Sequence, residues 1–285
     1  MRNITYIKLV PALLLPALLA GCVERELADR PDDGRLKISL TWPDGHTVSG
    51  ADIRLYGSDG SPRELNNSPS AGIVATLPAD TYTLTAVNTD RINATCAGQA
   101  SLAECRIEAD RTAVGTLKSV GNVYAAGVSG VKVIGGNTPA EVTLDTRNMV
   151  RRLRFDIDTD GVADIAGMTL RLTGVVPSLR LVDGADAGEA TAAVEARVDM
   201  KARSSLSADM SVFGTRGESL ITADVLHADG TRETSIPQDI SRLLDGLPAA
   251  GGTISVTLAM PSGGKVSLTV TVAEWKSGGG SGTVM

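Results

Sequence analysis

Apolar and polar residues change places at every second position along most of this chain, in short runs closed by Gly, Pro and Asp. Leu36, Ile38, Leu40 and Trp42 alternate with Lys37, Ser39 and Thr41 and run into Pro43-Asp44-Gly45. Ile53 and Leu55 alternate with Asp52, Arg54 and Tyr56 before Gly57-Ser58-Asp59-Gly60. Ile73, Ala75 and Leu77 lead into Pro78-Ala79-Asp80, and Tyr82, Leu84 and Ala86 follow at the same period. The pattern returns at Val142/Leu144, Leu153/Phe155/Ile157, Leu170/Leu172, Val194/Ala196/Val198/Met200, Ile221/Ala223/Val225, Ile254/Val256/Leu258 and Val266/Leu268/Val270/Val272. A period of two puts one face of each segment in a core and the other in water, which predicts antiparallel sheets. Only Asp239-Ile240-Ser241-Arg242-Leu243-Leu244 is expected to make a helical turn or two. The expectation is an all-β protein assembled from β-sandwiches.

The N-terminus breaks this pattern. Leu9 to Ala20 is an apolar run interrupted only by Pro11 and Pro16, with Arg2 and Lys8 ahead of it and Leu19-Ala20-Gly21-Cys22 at its end. A positive start, a short apolar stretch and small residues at the cut make a secretory signal over 1–21. The run is too short for a spanning helix, which needs about 20 apolar residues. A cysteine straight after the cut resembles a bacterial lipobox, so Cys22 is expected to carry lipid as the first mature residue. Two or three acyl chains hold a protein stably at a membrane surface without crossing it. Residues 22–34 are charged and nearly free of core residues, and are expected to form an acidic tether. That acidity resembles the export signals of surface lipoproteins in Bacteroidota, and it equally suits a merely polar linker.

The 264 residues that follow the signal suffice for two domains of about 130 residues each. The boundary is expected between Thr146 and Met149, giving sandwiches over 35–147 and 148–276 and a flexible Gly-rich tail over 277–285. Setting aside Arg2 and Lys8, 25 basic residues face 33 acidic ones. A net charge of about −8 argues against nucleic acid as a partner. Cys96 and Cys105 have eight residues between them and form a candidate disulfide in an exported chain. His46 and His227 stand beside turns without neighbouring ligands, so neither a metal nor a cofactor is expected. Arg151, Arg152 and Arg154 lie next to Asp156, Asp158 and Asp160, as a solvated strand face paired with carboxylates would.

Catalytic patterns are missing from the sequence: no GxSxG elbow, no HExxH, no phosphate loop, no cysteine–histidine pair. After the signal only seven aromatics remain, Trp42, Tyr56, Tyr82, Tyr124, Phe155, Phe213 and Trp275, several in register with core positions. That leaves few for the walls of a sugar-cleaving cleft or for a sugar-stacking platform. No small-molecule substrate is inferred, and the chain is not expected to be an enzyme.

The order of lipobox cysteine, acidic tether, LKISLTWP, ADIRLYGSDG and ATLPADTYTLTAVNTD resembles the FimB/Mfa-type fimbrial anchor lipoproteins of Bacteroidota and their uncharacterised relatives. In that group a Leu-Pro-x-Gly-x-Tyr turn leads through an apolar strand to an Asn. Leu77, Pro78, Tyr82 and Asn88 match, whereas Asp80 replaces the glycine, with Asp expected to accept a left-handed turn. TPAEVTLDTRNMVRRLRFDID is similar to the group's entry into its second domain, and VSLTVTVAEWKSG to its closing strand. The resemblance implies two tandem transthyretin-like, Greek-key β-sandwiches of a type V pilus, in which a subunit is completed by a strand from its neighbour. It implies pilin subunits as partners, a lipid-held location at the outer membrane and cell surface, and the role of anchor or accessory subunit. Shaft and tip subunits of such pili are trimmed after an arginine, and Arg25, Arg30 and Arg35 are candidate processing sites. No long apolar strand precedes Leu36, which favours the anchor, and Thr283-Val284-Met285 is too short to donate a strand. The alternative is a surface lipoprotein that binds glycan or host protein through sandwich loops. An exported hydrolase is a weaker third reading.

Overall fold

The computed structural model describes residues 32–43, 46–159, 164–200, 206–259 and 266–271. The signal, Cys22, Arg25, Arg30, Trp275 and the tail over 277–285 lie outside the described residues.

The first half contains β1 (Asp33–Thr41), β2 (Ala51–Tyr56), β3 (Pro62–Ser68), β4 (Gly72–Pro78), β5 (Asp80–Asn88), β6 (Ala94–Ala97), β7 (Arg106–Ala109), β8 (Tyr124–Val133), β9 (Ala140–Asp145) and β10 (Arg147–Asn148). One sheet runs β4-β1-β9 and faces a second, β10-β8-β5-β2-β3. Alternation dictates what lies between them: Leu36, Ile38 and Leu40 from β1 meet Ile53, Leu55, Tyr82 and Leu84. The second half contains β11 (Arg151–Asp158), β12 (Ile165–Val175), β13 (Ser178–Arg180), β14 (Ala192–Arg197), β15 (Leu206–Val212), β16 (Leu220–His227), β17 (Arg232–Thr234), β18 (Gln238–Asp239), the short helix α1 (Ser241–Asp245), β19 (Gly251–Ala259) and β20 (Ser267–Thr271). Its sheets run β15-β11-β19-β20 and β14-β12-β16-β17, with β18 also on β16. The all-β, sandwich-built expectation is borne out.

The two sandwiches follow one plan. In each, the first strand pairs antiparallel with the fourth core strand and parallel with the last: β1 with β4 and β9, β11 with β15 and β19. In each, the second strand lies between the third and the fifth: β2 between β3 and β5, β12 between β14 and β16. Strands added to this plan join the halves. Hairpin β6–β7 is inserted after β5, β13 is inserted after β12, and the two insertions pair as a third sheet, β13-β7-β6. Backbone bonds extend the joint, with the N–H of Ala109, Leu181 and Leu117 donating to the carbonyls of Pro177, Cys105 and Ala193 at 2.8, 3.0 and 2.7 Å. Arg106 spans it, 2.6 Å from Glu108 and 3.1 Å from Glu189. One hydrophobic cluster therefore continues from Tyr56, Val87, Ile107 and Ala125 into Leu153, Phe155 and Leu172.

Several details depart from the sequence reading. Asp33 and Gly34, expected in the tether, already belong to β1 and pair with Pro78 and Leu77. Asp80 does not adopt a left-handed backbone: among described residues other than glycine, only Asn67, Asn93 and Asp164 have positive φ. Its carboxylate instead accepts the N–H of Ser58 at 2.9 Å and of Thr81 at 2.7 Å, while the Tyr82 hydroxyl donates to the Pro78 carbonyl at 3.0 Å. Asn88 is fully buried and holds the next crossing, accepting the Tyr124 N–H at 2.8 Å and donating to Asp90 and Asn122. Arg154 pairs with Asp156 at 2.9 Å as expected, whereas Arg152 donates to the Asn122 amide rather than to a carboxylate.

The joint needs Gly127 in β8, because a Cβ there would sit 2.2 Å from the Val182 carbonyl oxygen. Gly127→Ala is expected to destabilise the chain by about 2 kcal/mol, as other overpacked sites do. A urea midpoint equal to wild type would mean that the two halves do not meet there in solution. Ser58 and Thr81 hold the Asp80 carboxyl below its ordinary value of 3.8. A depressed carboxyl contributes stability above that value and loses it as pH falls through the folded-state pKa. Carboxyl NMR should place the Asp80 midpoint below 3.8, and a midpoint at or above it would mean the turn is open.

Candidate functional site

Every open sheet offers unpaired backbone groups at its edges, and folded proteins blunt these with charge, shortness or cover. Strand β3 carries Arg63, Glu64, Asn66 and Asn67, an irregularity in its pairing with β2, and an Arg54–Glu64 ion pair at 2.5 Å. Strand β17 has three residues. Strand β19 is covered by β20, which runs antiparallel to it from Ser255↔Thr271 to Ala259↔Ser267 and is preceded by the buried Val266. Strand β9 occupies the same place in the first sandwich as β19 in the second. It pairs with β1 on one side, from Leu36↔Ala140 to Thr41↔Asp145, and has no strand on the other among the described residues.

The local chemistry of β9 leaves its backbone as the available feature. Leu144 is buried and Val142 half-buried, both turned to the first core, while Glu141, Thr143 and Asp145 face outward. Two of these outward side chains are engaged within the sheet: Glu141 takes Lys37 at 3.1 Å and Asp145 accepts the Thr41 hydroxyl at 2.6 Å. The strand enters through a shallow groove of about 310 Å3 lined by Lys132 and by residues 134–140. Ile134 is 55 % exposed on its rim. Gly136 donates its N–H to the Asp33 carbonyl at 3.0 Å, so the groove lies where the chain enters β1 from the N-terminal segment.

The other sequence candidates do not gather at this edge. Arg35 is exposed but sits within β1, opposite Thr76 of β4. Cys96 and Cys105 lie on the β6–β7 hairpin of the joint as free thiols, Cys105 fully buried and Cys96 pushed up to about 11 by burial. His46 accepts or donates at 2.6 Å with the Tyr124 hydroxyl, and His227 lies 3.6 Å from Glu233. Trp42 is half-buried, donates to the Ser70 carbonyl at 2.7 Å and meets the Tyr124 ring edge-on. Tyr56, Tyr82, Tyr124, Phe155 and Phe213 are buried. Sequence reading found β9 as a strand but not as an edge, since neighbours across a sheet leave no local mark.

No protein-family model matches the chain, and no curated protein matches it. Solved structures do. A candidate adhesin from Bacteroides ovatus superposes with a TM-score of 0.67 at 14% identity, over 90% of this chain and 100% of its own. The fimbrial anchor protein Mfa2 from Porphyromonas gingivalis gives 0.59 at 12%, over 85% and 97%. A candidate polysaccharide-binding protein from Bacteroides thetaiotaomicron gives 0.58 at 12%, over 85% and 98%. At these identities the likeness is one of fold: this chain has, over most of its length, the two-sandwich architecture of a fimbrial anchor and of adhesin-like proteins.

Proposed function

We propose that the chain is a lipid-anchored, non-enzymatic cell-surface protein, an anchor or accessory subunit of a fimbria that receives a pilin strand along β9. The observation that carries this reading is the uncovered β9 beside its covered twin β19. In the second sandwich the equivalent edge is taken by the antiparallel strand β20, with Val270 and the preceding Val266 packed on the core, and a donated strand would take the same place on β9. Main-chain bonds would give a donated strand its affinity and alternate side chains its specificity. The signal and Cys22 supply the membrane attachment, and the fold shared with Mfa2 supports the fimbrial setting. Arg35 is paired within β1, so trimming there would cut into the sheet, whereas Arg25 and Arg30 lie outside the described residues.

The polysaccharide-binding description of one fold relative keeps a second reading, glycan capture, worth a test. Among the described residues Tyr56, Tyr82, Tyr124, Phe155 and Phe213 are buried and Trp42 is half-buried, which speaks against it, because ring stacking needs an exposed face.

Mass spectrometry of the membrane-extracted protein should find an acylated Cys22, and Cys22→Ser should move the protein to the soluble fraction. A lipid-free start after Arg25, Arg30 or Arg35 would sink the anchor role and point to a polymerising subunit. A photo-crosslinking residue in place of Thr143 should capture pilin in fimbriated cells, whereas one in place of Asn66 on β3 should not. Equal capture at both positions, or saturable glycan binding without pilin capture, would overturn strand addition at β9.

A further inference from the structure

The joint between the sandwiches contains the only two cysteines of the chain beyond Cys22. In the β6–β7 hairpin, Cys96 pairs with Ile107 and Ala97 with Arg106. Continuing that register sets Cys105 opposite Gly98, on the same face as Cys96 and two residues along. Gly98 has φ +61 and its α-carbon approaches the Glu104 backbone so closely that a Cβ would lie 2.1 Å from the carbonyl oxygen. The position facing Cys105 therefore has no side chain, which leaves the diagonal between the two thiols clear. Diagonal neighbours across a strand pair stand about 7–8 Å apart at Cα, and a disulfide wants about 4.4–6.8 Å. Both cysteines are free thiols in the structure, so the bridge requires the loop end of the hairpin to draw in by that difference.

The surroundings leave the thiols little chemistry except with each other. Cys105 is fully buried, the Tyr56 hydroxyl donates to the Gln99 carbonyl of the same hairpin at 3.1 Å, and Leu102 packs against the same cluster. No group of three metal-ligating side chains exists among the described residues.

We propose that Cys96 and Cys105 are joined by a disulfide that fastens the β6–β7 hairpin, and that the bond forms before β13 docks on β7. The oxidant is a disulfide-bearing thiol oxidoreductase of the cell envelope. A thiolate of the pair attacks its disulfide and releases one of its sulfurs as a thiolate. The second cysteine then displaces the mixed disulfide, so the pair loses two protons and two electrons and the oxidant becomes a dithiol. Order follows from burial: once Leu181 bonds the Cys105 carbonyl, that thiol is closed off, and desolvation keeps Cys96 protonated at neutral pH. The bond closes a loop within β6–β7, and β7 is the central strand of the joint. This inference rests on export of the chain but not on its partner.

Cleavage after Arg91 and Arg106 isolates a peptide that carries both cysteines. Protein taken from cells under acid quench and alkylated without reduction should give this peptide unalkylated and lighter by two hydrogens. Two alkyl groups on a chain whose Cys22 is acylated overturn the bridge and leave export standing. Two alkyl groups on a chain that retains residues 1–21 overturn both. For the order of events, the purified chain is reduced and offered oxidised glutathione at neutral pH, either folded or in denaturant. Bridging should be about a hundredfold faster in denaturant, and equal rates would overturn formation ahead of docking.

Discussion

The arrangement of the whole chain depends on a small sheet made from two insertions. Hairpin β6–β7 and strand β13 interrupt their sandwiches at unrelated points of the shared plan, and neither can satisfy its backbone alone. Strand β13 has three residues and finds its strand partner in β7. Buried N–H and C=O groups without partners are costly, so the insertions satisfy one another's backbone across the joint. Their meeting covers the outer face of β5 and β8, which a single sandwich would leave wet. That is why Val87 and Ala125 are buried although they point away from the first core. The two halves then share one apolar cluster, and their orientation is set by packing instead of by a linker.

With the joint fixed, the edges decide what the molecule can still pair with. The first half solves its β3 edge with charge and a broken register, and the second solves its β19 edge with an added strand. Strand β9 has neither. Its outward carboxylates are spent on Lys37 and Thr41 of the neighbouring strand, and no lysine or proline interrupts Ala140–Asp145. An edge uncovered among the described residues is an aggregation hazard in a monomer, and on the proposed reading a donated strand would remove that hazard.

The sandwich strands with one apolar stripe were legible from alternation alone: β1, β2, β4, β5, β11, β16 and β19 lie where their periodicity put them. The missed elements lacked that stripe. Strand β3, PRELNNS, has little to bury, and β8 carries glycines at 127 and 130 where apolar residues would have marked a period. Helix α1 starts two residues later than expected, because Asp239 accepts the N–H and hydroxyl of Ser241 ahead of it. The joint was invisible for a different reason. Residues 94–109 pair with residues 178–180 across a separation that no local pattern records, so the cysteines read as a local staple while the fold places them at the junction. The candidate site was half legible: Val142 and Leu144 announced a strand, and only the sheet order revealed that no strand lies on its far side among the described residues.

The direction of β9 adds a constraint to the proposed reading. Strands β1 and β9 run parallel, so both start at the end of the sandwich where the N-terminal segment enters, beside Gly136 and Asp33. If that segment leads to lipid, Ala140 lies at the membrane-side end of the edge and Asp145 at the far end. An antiparallel guest, running as β20 runs on β19, would enter at Asp145 and finish at Ala140. A partner that donates the last strand of its chain would then keep its body beyond Asp145, away from the membrane, where a fibre has room to grow. A partner that donates its first strand would have to fit its body between sandwich and membrane, within reach of a tether of about ten residues. On the proposed reading, the edge would therefore favour, among strand donors, those whose donated segment comes at the end of the chain.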